Sequence, residues 1–115
     1  MHSCGKVDLL IEDWLSIGVN AIHPLEPQAG MDIAQVKRSY GDKVCIMGNV
    51  DVSHTLPFGS EDDVRNEVIE KIKACAPNGG YVLTSSNSIF KAIPVQNILT
   101  AVQTGFAYGS YPHKG

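Results

Sequence analysis

The chain has 115 residues, 43% apolar and 18% charged, with 11 glycines, 6 prolines and a formal net charge of −3. That length bounds it to one domain able to bury a core, and the composition is globular, not that of a disordered segment. No Lys/Arg cluster or bilayer-length apolar run stands out, which argues against nucleic-acid and membrane partners, and no secretory leader pattern is visible in these residues.

The opening, Met1-His2-Ser3-Cys4-Gly5, reads as the tip of a β-strand whose earlier part is absent. Residues 6–17 follow as a helix, with Val7, Leu10, Ile11, Trp14 and Leu15 at three- and four-residue spacing and Gly18 as its stop. Residues 19–23 form a short apolar strand ended by Pro24, and 25–31 a loop. Asp32 is the N-cap of a helix that runs through Tyr40, with Gly41 after it. Residues 43–48 hold the next strand, with the unbroken apolar run of a strand buried on both faces.

Residues 49–59 read as a loop carrying Asp51, His54, Pro57 and Phe58. Ser60 then caps the clearest helix in the chain, with Asp63 in the place of the usual Glu of a capping box. Glu61, Asp62 and Asp63 crowd its first turn, where the macrodipole favours anions. Val64, Val68, Ile72 and Cys75 form its apolar stripe, and Pro77-Asn78-Gly79-Gly80 breaks it. A strand at 81–84 and a polar loop at 85–93 follow. Pro94 opens the last helix in its first turn, with Val95, Ile98, Leu99, Val102 and Phe106 as its core face. Residues 108–115 read as a frayed, flexible tail.

Helices alternating with short buried strands imply parallel βαβ units with right-handed crossovers, an α/β fold. A whole (β/α)8 barrel needs roughly 250 residues. Three strands and a stub are expected to be its C-terminal half. In such a barrel the active site lies at the C-terminal ends of the strands.

Four places here occupy that position. His2 and Cys4 are two apart, so an extended backbone points both to one side, where an imidazole and a thiolate can meet one zinc ion. The same pair also reads as a frayed histidine beside a half-buried thiol. Glu26, 22 residues past Cys4 and flanked by Pro24 and Pro27, is the candidate third ligand or else a solvated loop carboxylate. His23 ends a strand and is a candidate substrate contact, or a half-buried histidine bonded to backbone. Asp51 follows the strand at 43–48 and is a candidate general acid or base, or equally an Asx-turn residue. Ser85, Ser86 and Asn87 are candidate substrate-binding groups at the last strand tip, and suit plain turn formation equally. The three cysteines, Cys4, Cys45 and Cys75, form no disulfide framework; Cys45 and Cys75 read as packing residues, and reduced thiols fit a cytoplasmic setting.

The string H-S-C-G, the helix L-L-I-E-D-W-L-S-I-G-V-N-A-I-H-P and then E-P-Q-A-G-M-D resemble the uroporphyrinogen decarboxylase superfamily. The stretches L-P-F-G-S-E-D-D-V-R-N-E-V, G-G-Y-V-L-T-S-S-N-S-I and P-V-Q-N-I-L resemble its last two barrel units. The resemblance implies a partial barrel over residues 1–107, from the tip of the fifth strand to the eighth helix. It also implies one of two activities. The superfamily's corrinoid-dependent methyltransferases carry His-x-Cys as zinc ligands, matched by His2 and Cys4, and a related cobalamin-independent methionine synthase adds a Glu, matched by Glu26. Both usually supply a second Cys near the last strand tip, where this chain has Thr84 and Ser85. The decarboxylases use Asp and Arg residues from the early strands, a part this chain does not contain.

The expectation is therefore a fragment of a zinc-dependent enzyme that moves a methyl group between a corrinoid and a thiol. The alternatives are a tetrapyrrole decarboxylase and a non-catalytic half-barrel that acts by self-assembly. The isolated chain is expected to lack complete activity. Its expected partners are a second copy of itself, as dimer or higher oligomer, or a missing N-terminal half-barrel.

Overall fold

The structure is a computed structural model and describes residues 1–112. Four parallel strands, β1 (His2–Ser3), β2 (Ala21–Pro24), β3 (Cys45–Val50) and β4 (Tyr81–Ser85), form one sheet in the order β1-β2-β3-β4. Between them lie α1 (Ile11–Ser16), α2 (Ile33–Tyr40), the short α3 (Thr55–Phe58) and α4 (Glu61–Cys75), and α5 (Val95–Tyr108) closes the chain's sequence of elements. Every neighbouring pair is parallel, as the alternation of helix and strand patterns requires. All four strand ends, and with them the loops expected to carry chemistry, therefore emerge on one side of the sheet.

Local chemistry sets the helices where the caps lie. Asp32 Oδ1 accepts the N–H groups of Ala34 and Gln35 at 3.0 and 3.3 Å, opening α2. Ser60 and Asp63 form a reciprocal capping box on α4: Ser60 Oγ accepts the Asp63 N–H at 3.1 Å and Asp63 Oδ2 accepts the Ser60 N–H at 2.9 Å. Such a cap contributes about 1 kcal/mol. The stripe expected on α4 is the one observed, with Val64, Val68, Ile72 and Cys75 all buried. They pack with Ile22, Ile46, Ile33 and Val36 into one core between the sheet and its helices.

The structure corrects three expectations. The first helix begins later: Asp8–Leu10 is a 3-10 turn, neither Val7 nor Leu10 offers a capping side chain, and α1 proper is six residues. The third strand extends through Asn49 and Val50, residues whose sequence predicts a loop, because both stay in register with β4 opposite Thr84 and Ser85. The face of α5 is the third. Val95 and Phe106 are 69% and 81% exposed and Leu99 and Val102 lie open, while Asn97, Thr100 and Thr104 are buried. Asn97 Nδ2 donates to the carbonyls of Leu56 and Gly59 at 2.8 and 2.9 Å, so the helix docks on α3 through an amide that satisfies carbonyls within it and at its C-cap. Ile98 and Ala101 are the α5 residues expected or available for packing that do reach the core.

The expected tail at 108–115 overlaps α5, which runs to Tyr108. The Tyr111 hydroxyl donates to the Tyr81 carbonyl at 3.0 Å, and residues 113–115 lie outside the described residues.

Gly48 positions β3 against the loop after β2. Its φ is +150°, and a β-carbon there would overlap the Pro24 carbonyl oxygen. One residue on, the fully buried Asn49 donates through Nδ2 to the Leu25 carbonyl at 2.5 Å. Leu25 itself has φ +58° and is buried, so an unfavourable backbone conformation is held by packing and by one side-chain amide. The consequence falls on the next residue, Glu26.

Candidate functional site

β1 and β2 pair with His2 directly opposite His23. The Met1 ammonium donates to the Ala21 carbonyl at 2.8 Å and the His23 N–H donates to the Met1 carbonyl at 3.0 Å, which holds the two backbones together at this point. The rings consequently meet, with centroids 4.9 Å apart and Nδ1 of His2 lying 2.7 Å from Nδ1 of His23. The other nitrogen of His23, Nε2, lies 3.2 Å from the Ser85 carbonyl oxygen at the end of β4. Nε2 of His2 lies 3.7 Å from Cys4 Sγ. Two ligands of one tetrahedral zinc, with Zn–S about 2.3 Å and Zn–N about 2.0 Å, stand roughly 3.6 Å apart. The His2–Cys4 pair therefore has a ligand-like separation, and strand alternation is its cause.

Glu26 borders this pair and is only 5% exposed. Its Oε1 accepts the Gly5 N–H at 2.8 Å and its Oε2 accepts from Gln28 Nε2 at 3.1 Å. The Gly5 N–H holds its carboxyl below the usual carboxylate range; burial opposes that, and Gln28, Cys4 and Asn87 add to the lowering. An ionised, nearly buried carboxylate thus adjoins the thiol. Asn87 reaches the same place from the loop after β4, donating through Nδ2 to Cys4 Sγ at 3.5 Å. Among the described residues no three His, Cys, Asp or Glu side chains converge as a ready-made metal centre. The fit to zinc is therefore that of a His–Cys pair with an anionic neighbour whose oxygens serve Gly5 and Gln28.

The other candidates are distributed differently. Ser85 joins the cluster through its carbonyl, while its hydroxyl donates to the Asn87 carbonyl at 2.6 Å. Ser86 is buried, and its hydroxyl accepts the Val52 N–H at 3.1 Å. The Asp51 carboxylate is taken up in its own turn: Oδ1 accepts the Ser53 N–H at 2.8 Å and Oδ2 meets His54 Nδ1 at 3.0 Å. The structure thus brings His2, Cys4, His23, Glu26, Ser85 and Asn87 together, and sets Ser86 and Asp51 to hold the loop after β3. Sequence reasoning passed over Gly5 and Gln28. Gln28 had a local signal, since Glu26 precedes a proline-started 3-10 turn, Pro27–Ala29, that brings residues 26 and 28 close. The Gly5 N–H had none, because its bond to Glu26 spans 21 residues.

The family model described as uroporphyrinogen decarboxylase (URO-D) matches residues 1–107. Among curated relatives, the uroporphyrinogen decarboxylase of Trichodesmium erythraeum is 29% identical over 59% of this chain and 18% of its own length. The methylcobamide:CoM methyltransferase MtaA of Methanosarcina barkeri is 29% identical over 89% of this chain and 28% of its own. A solved methyltransferase from Methanosarcina mazei superposes with a TM-score of 0.77 at 23% identity, over 95% of this chain and 31% of that one. The chain thus spans less than a third of each of these relatives, and its fold is part of a (β/α)8 barrel.

Proposed function

The chain belongs to the uroporphyrinogen decarboxylase family, and from that premise we propose that it contributes a zinc site to methyl transfer between a corrinoid and a thiol. The observation that carries the reading is the 3.7 Å approach of His2 Nε2 to Cys4 Sγ at the mouth of the sheet. The match to a methylcobamide-dependent methyltransferase across 89% of the chain supports it. His2 and Cys4 would hold the metal, with Glu26 as the third donor. Bound zinc supplies a Lewis acid that keeps a substrate thiol deprotonated at neutral pH. The chain's own groups work in the same direction. Asn87 Nδ2 donates to the Cys4 sulfur and so helps to hold it in place beside His2. Gly5 and Gln28 hold Glu26 ionised and in place.

The whole reading includes more barrel than this chain contains. β4 ends the sheet, and beside it the groove lined by Leu83, Ile98, Ala101, Val102 and Phe106 is apolar. We assign that edge to further βα units of the same barrel, since the solved relative is about three times the length matched here. No helix among the described residues is long and apolar enough to cross a membrane. A cytoplasmic setting, with Cys4, Cys45 and Cys75 as free thiols, is part of the same proposal.

A tetrapyrrole decarboxylase is the second reading, favoured by the decarboxylase of Sodalis glossinidius, 35% identical over 55% of this chain. Metal analysis separates the two. Zinc bound by the unaltered chain, lost in Cys4→Ala and diminished in Glu26→Ala, is the expected result. Equal zinc content in the chain and in Cys4→Ala would remove Cys4 from the site and leave the decarboxylase reading ahead.

A further inference from the structure

The hydrogen bonds around Cys4 form a closed ring through five residues. Cys4 Sγ faces His2 Nε2, His2 Nδ1 meets His23 Nδ1, and His23 Nε2 meets the Ser85 carbonyl. Ser85 Oγ donates to the Asn87 carbonyl, and Asn87 Nδ2 returns to Cys4 Sγ. A carbonyl oxygen only accepts, so the proton on a neutral His23 sits on Nε2. Its Nδ1 is then a bare lone pair. The 2.7 Å contact between the two Nδ1 atoms holds one proton, and it must come from His2. A neutral His2 with its proton on Nδ1 carries its free lone pair on Nε2, the atom that faces Cys4.

We propose that His23 is a positioning residue that locks His2 in the Nδ1–H tautomer and aims the Nε2 lone pair at the Cys4 sulfur. The lock is anchored on both sides. The register of β1 on β2 puts residue 2 opposite residue 23, and the end of β4 supplies the carbonyl that orients His23. An isolated imidazole in water samples both tautomers. Here the wrong one, with hydrogen on His2 Nε2, sets two lone pairs against each other at 2.7 Å. Metal-binding histidines owe affinity to such a partner on the second nitrogen, and its removal costs roughly 10- to 100-fold. That part of the inference rests on the zinc reading above; the tautomer itself does not.

Long-range proton–nitrogen NMR of the metal-free 115-residue chain tests it, read on spectra in which both imidazoles are observed to be neutral. Hydrogen on His2 Nδ1 and on His23 Nε2 is the expected result. Hydrogen on His2 Nε2 overturns the proposal with no variant needed. His23→Phe removes the acceptor and is expected to leave His2 in mixed tautomers with zinc affinity lowered roughly 10- to 100-fold. His23→Gln offers an amide acceptor to His2 and a donor to Ser85, and is expected to recover most of the loss. An unchanged His2 tautomer in folded His23→Phe would also sink the proposal. Zinc binding with the wrong tautomer in the metal-free chain leaves the metal reading standing and removes His23. The expected tautomer with no zinc binding does the reverse.

Discussion

Glu26 Oε1 accepts the Gly5 N–H at 2.8 Å, tying the loop after β2 to the residue that follows Cys4. One carboxylate thereby fixes the distance between the two loops that carry the His–Cys pair and its acidic neighbour. The bond is charge-assisted and nearly buried, so it contributes more than a neutral one.

Glu26 has its folded pKa lowered from 4.5, chiefly by that Gly5 N–H. Its contribution to stability is therefore present above 4.5 and is lost as pH falls through the lowered value. Glu26→Gln should be less stable than the parent at neutral pH by on the order of 1 kcal/mol. Urea titrations at neutral and acid pH should show that difference shrinking toward the acid side.

Glu67 should behave in the opposite sense. Burial raises its pKa from 4.5, against Thr55, Lys71 and the Asp51 N–H, which lower it. Its Oε2 is buried with no hydrogen-bond partner among the described residues. Stability from the protonated form is present below 4.5 and is lost as pH rises through the raised value. Glu67→Gln should stabilise the chain at neutral pH and change little in acid, as thermal melts at both would record. A destabilised Gln variant at neutral pH would contradict this account of Glu67.

Gly48→Ala should be strongly destabilising. The new methyl meets the Pro24 carbonyl at a backbone φ of +150°, where neither partner is a flexible side chain. A loss of about 3 kcal/mol or more is expected, since strain and overlap add. Gly18→Ala, at φ +92° with open space around it, should cost about 1 kcal/mol and serves as the comparison.

The three free cysteines should react with an alkylating reagent in a fixed order. Cys4 is exposed, Cys45 is half-buried and Cys75 is fully buried. Burial pushes the Cys75 thiol up to about 11, partly offset by Lys71 and Lys37. Peptide mapping after brief labelling should find Cys4 modified first and Cys75 protected until the chain unfolds.

On its own the 115-residue chain should associate. Among the described residues β4 has no strand partner on its outer side, and the α5 residues Val95, Leu99, Val102 and Phe106 lie exposed beside it. Open strand edges and apolar faces promote self-pairing. Sedimentation over a wide concentration range should reveal dimers or larger species; a lone monomer with cooperative melting would count against assigning that edge to further barrel units.

The local pattern of residues sets the alternation of helix and strand, the parallel sheet, and the caps on α2 and α4, because each depends on residues within a turn or two of one another. Asp32 and Ser60 act on N–H groups two or three residues away. It also determined that His2 and Cys4 share a side, since alternation along a strand is local. Tertiary structure alone decided which groups meet them. His23 reaches His2 across 21 residues and Ser85 across 62, and Asn87 reaches Cys4 across 83. The face of α5 was decided in the same way. Its apolar stripe predicts burial, yet Asn97 turns the helix toward the carbonyls of Leu56 and Gly59 and leaves Val95, Leu99, Val102 and Phe106 outward, with only Ile98 of the stripe packed on the core. Periodicity records which side of a helix is apolar; the neighbour that side finds depends on packing partners far away in the chain.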